Sequence, residues 1–518
     1  MESRNQQIGS ARDYHDRTAH SPRSVRASGH RLDWDIKPMP FKIYPELPAL
    51  PLPREFPPPA LDTLAVLSGH PAADEPLDLE RLAALLFFSA GVTKTLTYPS
   101  GVEVHFRAAP STGALYQTEV YVVAGDIAGL PGGLYHFCPG DFTLRRLRDG
   151  DYRGAVALAA ADESLAARPA TLILSAIYWR NTWKYQARGY RHLFWDSGTL
   201  LSHLLATATA LGLSARLLAG FVDAEVNALL GLDAASEGAL ALVGVGGHAR
   251  PAPPPPVTSS LDAAVVPLSS SVVDYPLLVQ AYADSTLEGE AEVLDWRERS
   301  VGRERRPAPP PPLTALPPPR SLASRTLGET IQARGSTREF SGEPISAEQL
   351  STALFHGAGD VPADGPSALV DAYLTIHAVE GLAPGAYVYH RAPHALEPLK
   401  LGDFRADSAF LCLDQPLGGA SSATVFFLAD LEGLLPPLGN RGYRLVNLEA
   451  GIFGGRLYLA AYAQRFGASG LTFYDAEVVR FFSPHAQGKA AIFVTALGRS
   501  VSHAPRVAGP LTIGRASR

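Results

Sequence analysis

Two arginines, with a glycine and two hydroxyl residues between them, are the strongest candidates in the chain for binding a phosphate group. They lie four residues apart in the segment Arg334-Gly335-Ser336-Thr337-Arg338. A guanidinium group donates paired hydrogen bonds to phosphate oxygens, and a serine hydroxyl can donate another to the same group. The segment therefore predicts a phosphate site formed by Arg334, Ser336 and Arg338. Incidental charges at the start of a solvated helix are the alternative explanation.

A proline–serine turn in the first half of the chain is the second candidate. It lies between Arg107 and Tyr116 and runs into a strand-like segment. Such a turn can present backbone N–H groups and a hydroxyl to the polar edge of a flat ring. The residues predicted to contact a ligand here are Pro110, Ser111, Gly113 and Leu115. A plain turn at the entry to a strand is the alternative.

Lys184 and Tyr185 form an adjacent pair just before a long apolar helix. An ammonium group beside a phenol stabilises the phenolate, so Tyr185 is predicted to act as a base or proton relay near neutral pH. A surface pair that precedes a helix is the alternative.

Gly220 follows a predicted strand of the first half, whereas the second half carries Phe473 at the same register. Because glycine has no Cβ, the backbone at Gly220 is predicted to allow close approach of a ligand.

Four separated patches of the chain recur once, at a spacing of 252 or 253 residues. The pairs are Gly133–Phe137 with Gly385–Tyr389, Tyr190-Arg191 with Tyr443-Arg444, Asp223–Val226 with Asp475–Val478, and Gly246 with Gly498. One shared register across four patches predicts two copies of one ancestral unit, packed as an internal pseudo-dimer.

The chemical candidates are divided between the two copies. Opposite the arginine segment the first copy has Val66–His70, which contains no arginine. Opposite the proline–serine turn the second copy has Pro362-Ala363-Asp364-Gly365, and opposite Lys184-Tyr185 it has Pro437-Leu438. The sequence therefore predicts one competent site, with its parts supplied by different copies.

Each copy shows an α+β pattern. Apolar residues at three- and four-residue spacing predict helices, and short continuous apolar runs predict buried strands. The predicted helices are Glu80–Ala90 with Glu348–Ala358, Leu193–Leu211 ending at Gly212, and Leu445–Phe466 ending at Gly467; the strands include Glu119–Ala124 and Thr171–Ile177.

Two proline clusters separate the copies. The predicted divisions are a leader and extended arm at 1–60, the first copy at 61–250, a proline-rich linker at 251–320, a partly degenerate second copy at 321–505, and a basic tail at 506–518. The first 30 residues or so are predicted to be loose, and the linker is predicted to contain one helix, Tyr275–Leu287.

Composition excludes several classes of protein. With 518 residues, of which 46% are hydrophobic, the chain can fill two domain cores. A net charge of −6 does not favour binding to nucleic acid. No basic amphipathic stretch and no long apolar stretch predicts contact with a membrane. The two cysteines, Cys138 and Cys412, lie in corresponding strand-like regions without metal-type spacing, so neither a disulfide framework nor a metal site is predicted. No signal peptide is recognisable, and the predicted setting is the reducing cytoplasm.

Taken together, these motifs resemble the nitroreductase-like flavoenzymes, and specifically the azoline dehydrogenases of the SagB/ThcOx type. The resemblance rests on the arginine segment at Arg334–Phe340, the turn at Arg107–Tyr116, and Lys184–Arg191. The stretch from Asp196-Ser197-Gly198 to Asp233 also fits. The resemblance covers most of the first copy and is weaker in the second.

The resemblance implies two nitroreductase-like α+β sandwich units with FMN between them. In that family the arginine segment holds the FMN phosphate and the proline–serine turn comes from the partner unit. The resemblance also implies that Arg499, after the last strand, adds a phosphate contact and that Arg107 faces the charge of the reduced ring. The family's glycine turn belongs to the unit with the arginines, whereas Gly220 lies in the other copy, so this residue departs from the pattern.

The same resemblance implies oxidation of a thiazoline or oxazoline to the aromatic azole. Tyr185 with Lys184 would take a proton, a hydride would pass to the flavin, and dioxygen would reoxidise it. The implied substrate is a small molecule or peptide, free or attached to a carrier or leader, and a further homodimer stays open. The alternatives are an NAD(P)H-dependent nitro- or quinone reductase and a non-catalytic flavin-binding scaffold.

Overall fold

The computed structural model describes residues 3–69, 74–97, 103–247, 249–261, 263–301, 312–323 and 325–501. The predicted basic tail at 506–518 and His70 lie outside these residues. Among the described helices, none combines the length and the apolar character needed to span a membrane.

Two seven-stranded antiparallel sheets form the frame of the molecule. Within the described residues the strands are β1 Ala49–Pro51, β2 Val92–Thr97, β3 Glu103–Arg107, β4 Thr118–Ala124, β5 Gly133–Cys138, β6 Thr143–Asp149, β7 Ala170–Ile177, β8 Ala215–Leu218, β9 Glu237–Val245, β10 Thr314–Ala315, β11 Ile345–Ser346, β12 Asp371–Ile376, β13 Val379–Glu380, β14 Gly385–His390, β15 Ala395–Leu401, β16 Ala423–Ala429, β17 Gly467–Gly470 and β18 Ala490–Gly498.

The two sheets share one topology. The first has the strand order β1-β6-β5-β4-β7-β9-β8, and the second has β10-β15-β14-β12-β16-β18-β17. Matching these orders position by position pairs each strand with its counterpart from the other copy, which confirms the internal repeat and the α+β class. Strands β4, β7 and β9 are buried along their whole length, so each reads as a continuous apolar run.

Helices cover both sheets and form the contact between the copies. The described α-helices are α1 Gly9–Arg17, α2 Pro22–Ala27, α3 Thr63–Ser68, α4 Leu79–Ala90, α5 Arg153–Ala159, α6 Tyr178–Tyr185, α7 Gly189–Ala210, α8 Asp223–Leu230, α9 Pro276–Asp284, α10 Glu290–Val301, α11 Leu327–Ala333, α12 Ala347–Gly357, α13 Arg405–Leu411, α14 Pro416–Ala420, α15 Leu431–Leu438, α16 Arg441–Ala463 and α17 Asp475–Phe482.

The long helices α7 and α16 pack against each other at the centre. Gly198 of α7 and Gly451 of α16 lie at their crossing, and a Cβ atom at either position would come within 3.0 Å of the backbone of the other helix. Because no side chain fits there, the two helices can approach closely, and the pseudo-dimer has a small-residue contact at its axis.

Buried ion pairs cross between the copies and account for two of the repeated patches. Arg191 of the first copy pairs with Asp475 of the second at 2.6 Å, and Arg444 of the second pairs with Asp223 of the first at 2.7 Å. Each carboxylate also pairs with a second arginine, Arg188 or Arg441. The two sets are related by the repeat, as a self-complementary interface requires.

The prediction of a loose leader is wrong. Helix α1 packs where the two copies meet, and Tyr14 is 1% exposed. Its ring contacts both Tyr190 and Tyr443, at centroid distances of 5.1 and 5.9 Å, and its hydroxyl donates to the carbonyl of Ala187 at 2.6 Å. Hydrogen bonds between Asn5 and Arg441, Ala11 and Asn440, and Arg191 and His15 hold the same segment in place.

The linker and one helix end also differ from the predictions. The linker contains two helices, because α9 ends at Asp284 and α10 begins after Gly289. Helix α16 ends at Ala463, and Gly467 begins strand β17 instead of capping the helix. Both cysteines are free and buried, but only Cys138 lies in a strand.

Candidate functional site

Arg334 joins the two halves of the molecule. It follows helix α11 and is 3% exposed. Its Nε donates to the carbonyl of Ala108 at 2.7 Å, and its Nη2 donates to the carbonyl of Arg107 at 2.9 Å. This contact between residues 334–338 of the second copy and residues 107–113 of the first is termed the first junction.

The charge of Arg334 has no acidic partner among the described residues. Burial lowers the pKa of Arg334, and the nearest aromatic ring, that of Tyr458, is centred 6.0 Å from the guanidinium carbon. A buried charge without a counter-ion is strongly destabilising. An anion bound at the first junction would supply the missing charge, so this environment fits the predicted phosphate site.

Ser336 and Arg338 continue the same segment. The Oγ of Ser336 lies 3.1 Å from the hydroxyl of Tyr458, which accepts the N–H of Gly470 at 2.6 Å. Arg338 is exposed, and its charge lowers the pKa of both Lys184 and Tyr185 relative to burial alone. The structure therefore brings the three predicted phosphate residues to one junction, close to the lysine–tyrosine pair.

Asp196 of helix α7 holds the proline–serine turn. Its carboxylate accepts hydrogen bonds from the Oγ of Ser111 at 2.5 Å, the N–H of Thr112 at 2.8 Å and the Nε2 of Gln117 at 2.7 Å. The Ser111 hydroxyl is therefore used inside the turn. The exposed part is Gly113, at the tip.

The backbone of this turn is strained. Gly113 has φ +64°, and the non-glycine residues Ala114 and Tyr116 have φ +55° and +50°. Positive φ at such residues costs of order 1 kcal/mol or more each and is concentrated at functional sites. Pro110 and Leu115 lie in this segment without positive φ values of their own, so the strain marks the turn as a candidate site through Gly113, Ala114 and Tyr116.

Tyr185 lies against the turn. It is the last residue of helix α6, and its ring meets that of His192 edge-on at 4.6 Å. A Cβ atom at Gly113 would lie 2.8 Å from the Tyr185 hydroxyl oxygen, so only glycine leaves room for the hydroxyl there. Lys184 places its Nζ 5.4 Å from the centre of the Tyr185 ring.

The surroundings of Tyr185 work against the predicted phenolate near neutral pH. Burial and the nearby carboxylate of Asp196 raise the pKa of Tyr185, and Arg338 offsets this only in part. By contrast, burial followed by the charges of Arg338 and Lys37 lowers the pKa of Lys184. The two pKa values are therefore shifted towards each other, which favours Lys184 over Tyr185 as the candidate base.

Arg107 contributes to the first junction through its carbonyl. Its guanidinium faces the N-terminal arm, where Nη2 donates to the carbonyl of Pro40 at 2.7 Å and the group lies over the rings of Phe41 and Tyr116. Burial lowers the pKa of Arg107 to about 10. Contact of its charge with a flavin stays a prediction.

Gly220 is not brought together with the other predicted residues, whereas Arg499 pairs through its backbone with the chain just after the arginine segment, where its carbonyl accepts the N–H of Ser341 at 2.8 Å. The N–H of Gly220 donates to Asp364 at 3.1 Å, and a Cβ atom there would lie 2.8 Å from Trp296. Gly220 therefore belongs to a different contact between the copies. The Nε of Arg499 donates to the carbonyl of Pro344 at 2.9 Å.

Asp196 and His203, two residues of helix α7 beside the first junction, were not predicted as site residues. Asp196 is an acidic residue inside a mainly apolar helix, and this contrast could have identified it as a candidate site residue. His203 of the same helix has no partner for its Nε2 within the described residues, and burial and Arg334 lower its pKa to about 3. Its neutral ring therefore adds no charge beside Arg334.

The paired sheets and the arginine-bearing junction between them define a two-unit α+β protein whose candidate site is formed by residues of both units. The chain belongs to the nitroreductase family, whose sequence profile matches residues 72–247 and 331–497. This is a family of oxidoreductases that typically bind a flavin. The predicted resemblance and the fold of two tandem units are confirmed.

One solved structure matches almost the whole chain. The 1.80 Å crystal structure of a "putative nitroreductase" from Anabaena variabilis has a TM-score of 0.77 and 28% identity, and covers 95% of this chain and 99% of that one. The tandem arrangement is therefore shared with a protein of the same length class.

Three curated relatives match shorter stretches. "Putative nitroreductase MJ1384" of Methanocaldococcus jannaschii is 33% identical over 156 residues, which are 30% of this chain and 75% of the relative. The trifolitoxin-processing protein TfxB of Rhizobium leguminosarum is 29% identical over 201 residues, 36% of this chain and 52% of TfxB. The microcin B17-processing protein McbC of Escherichia coli is 27% identical over 133 residues, 24% of this chain and 49% of McbC. The chain thus spans about half the length of the two processing proteins.

Proposed function

We propose that the chain oxidises a thiazoline, oxazoline or similar heterocycle of a peptide natural product to the aromatic azole, with FMN as its cofactor. Membership of the nitroreductase family supports the redox chemistry, and the names of TfxB and McbC support a peptide-processing context. The observation that carries the proposal is the position of Lys184 and Tyr185 against the Gly113 turn. Removing hydrogen from a carbon needs a base beside the hydride acceptor, whereas hydride exchange with a nicotinamide does not.

The residues proposed to hold FMN come from both copies. Arg334 supplies a buried cation that lacks an acidic partner among the described residues, and Ser336 and Arg338 lie beside it. Arg499 is a further proposed phosphate contact, and the first copy supplies Pro110, Ser111, Gly113 and Leu115. When bound, FMN supplies the hydride acceptor.

Lys184 and Tyr185 are proposed to divide the handling of protons. The lowered pKa of Lys184, caused first by burial, increases the neutral fraction of its amine, so Nζ can take a proton from the substrate ring. The raised pKa of Tyr185, caused by burial and Asp196, keeps Oη protonated as a hydrogen-bond donor. The pair therefore removes a proton at one atom and orients the substrate at the other.

The test is conversion of an azoline-containing synthetic peptide by the FMN-loaded protein, with loss of two hydrogen atoms followed by mass spectrometry. Lys184→Met and Tyr185→Phe should each lower kcat by roughly 100-fold or more, with flavin content unchanged. Lys400→Met and Tyr387→Phe, in the second sheet, are matched controls and should behave as wild type. Full conversion by both site variants would contradict the proposal.

An NAD(P)H-dependent reductase is the second candidate, favoured by the 33% identity to a protein named as a nitroreductase. NADPH with a nitroaromatic should then bleach the flavin absorbance and give steady turnover. Because that reaction needs no base on carbon, Lys184→Met should leave it intact, which separates the two functions.

A further inference from the structure

The repeat creates a second junction, equivalent in position to the first. It is the contact between the turn Pro362–Gly365 of the second copy and residues Leu217–Gly220 of the first. The turn is the counterpart of Pro110–Gly113 at the 252-residue spacing. In a pair of identical units this junction would carry a second, equal binding site.

The second junction is closed by direct hydrogen bonds. The N–H of Leu217 donates to the carbonyl of Pro362 at 2.8 Å, and the N–H of Ala219 donates to the carboxylate of Asp364 at 2.7 Å. At the first junction, among the described residues, no hydrogen bond joins Pro110–Gly113 to the corresponding residues 469–472. Turn and strand end are therefore joined directly at the second junction, and among the described residues no such bonds join them at the first.

An aromatic side chain of the linker occupies the closed junction. Trp296 of helix α10 is fully buried, and its indole N–H donates to the carbonyl of Leu438 at 3.0 Å. Cβ atoms at Gly220 and Gly365 would lie 2.8 and 3.5 Å from its ring. The indole thus lies against both the strand end and the turn of the second junction.

Arg297, the next residue, ties α10 to both copies. Its Nε donates to Asp364 of the second copy at 2.9 Å, and its Nη2 donates to the carbonyl of Gly220 of the first at 2.8 Å. A further bond reaches the carbonyl of Ala161 at 2.9 Å. The linker helix therefore bridges the copies at the position where a bound cofactor would bridge them.

An arginine also holds the turn at the second junction, but from a different helix. Arg456 of α16 donates to the carbonyls of Gly359 and Asp360, at 2.6 and 3.1 Å. These are the counterparts of Arg107 and Ala108, which receive Arg334 at the first junction. The same two carbonyls are thus bound by a guanidinium in both places, but Arg456 belongs to the copy that owns the turn.

The described residues that line the second junction include more acidic than basic groups, although Asp364 and Asp371 are paired with Arg297 and Lys489. A cavity of about 1810 Å³ adjoins it, so space is not lacking. The charged residues among its described lining are five carboxylates against two arginines: Asp74, Asp360, Asp364, Asp371 and Glu449 against Arg391 and Arg456. Arg391 is itself paired with Asp360 at 2.6 Å.

We infer that the second junction does not bind a flavin, and that helix α10, through Trp296 and Arg297, replaces a cofactor there as the bridge between the copies. The chain then holds one FMN, at the first junction. The number of one FMN per chain rests on the proposed FMN site at the first junction.

The test is the ratio of flavin to chain after saturation with FMN and gel filtration, measured from the absorbance of flavin released by denaturation. One flavin per chain is the expected result. A ratio near two would overturn the inference while leaving the proposed function standing. A ratio of zero would overturn the count of one together with the proposed cofactor.

Paired variants locate the flavin. Arg334→Gln should lower the ratio from one towards zero, whereas Arg456→Gln and Arg391→Gln should leave it at one. Because Arg456→Gln can disturb folding, Arg391→Gln provides the milder probe of the same cavity. Loss of flavin in Arg391→Gln with a wild-type circular dichroism spectrum would overturn the inference.

The role of α10 has its own readout. Trp296→Ala should lower the Tm of the flavin-free protein, and Trp296→Phe should lower it less, with one flavin per chain in both. An unchanged Tm in Trp296→Ala, or binding of a second flavin, would contradict the bridge.

Discussion

Lys184 and Tyr185 acquire opposite protonation behaviour from one environment. Burial disfavours the charged form of any group, so it lowers the pKa of a lysine and raises that of a tyrosine. Arg338 and Lys37 add to the effect of burial at Lys184, and Asp196 adds to it at Tyr185, where Arg338 offsets it in part. The result is an amine that gives up its proton more readily, beside a phenol that keeps its own.

The pH dependence of turnover follows from the direction of these shifts. If neutral Lys184 is the base, kcat/KM should rise with pH, with a midpoint below the ordinary lysine value of about 10.4. Lys184→Arg should lose this limb, because a guanidinium stays protonated. The measurement is the pH profile of azoline oxidation by the FMN-loaded protein. A midpoint that persists in the arginine variant would assign it to another group.

At the scale of elements, helix α7 organises the site and the interface together. Asp196 fixes the turn of the first junction, Arg191 pairs with Asp475 across the interface, and Gly198 admits helix α16. These three residues fall within two turns of one helix. A change in the packing of the copies is therefore transmitted directly to the turn.

Asp196→Asn tests this coupling. An amide offers one acceptor oxygen where the carboxylate now receives Ser111, Thr112 and Gln117, so about 1–3 kcal/mol of stability should be lost through unsatisfied donors. The affinity for FMN, measured by fluorescence quenching, should fall as the turn relaxes. Asp149→Asn, on an exposed strand end, is the control and should change neither quantity. Unchanged FMN affinity in Asp196→Asn would show that the turn does not need this anchor.

At the scale of the whole molecule, symmetry and asymmetry serve different purposes. The cross-copy ion pairs occur twice and hold the pseudo-dimer together, whereas the phosphate residues and the lysine–tyrosine pair occur once. Arg188 and Arg191 hold the pKa of Asp475 below its usual range, although burial alone would raise it. The interface is thus doubled and the candidate site is single.

Asp475→Asn should destabilise the protein by about 3–5 kcal/mol, because it leaves two buried arginines without a counter-charge. Asp223→Asn should cost a similar amount, since its surroundings repeat those of Asp475. The stabilisation from Asp475 is present above the unfolded-state pKa of about 3.9 and is lost as the pH falls through the lower folded value. Urea unfolding at several pH values measures this. Asp13→Asn, in an exposed helix pair, is the control and should cost less than about 1 kcal/mol.

The sequence by itself determined the repeat, the α+β class, the main strands and helices and the set of candidate residues. These features depend on local pattern: apolar periodicity, a shared register and short motifs. Local patterns could not predict the ordered leader, because the ring of Tyr14 packs against Tyr190 and Tyr443, which are far away in the chain.

Only the tertiary structure decided how the candidates are grouped and in which form they ionise. Arg334 reaches the turn of the other copy, Gly220 lies at the second junction instead, and the shifts at Lys184 and Tyr185 come from burial. Burial and cross-copy contact arise from packing between residues more than a hundred positions apart. No motif within one segment encodes them, which is why the sequence could not predict the direction of the pKa shift at Tyr185 or its position beside the turn.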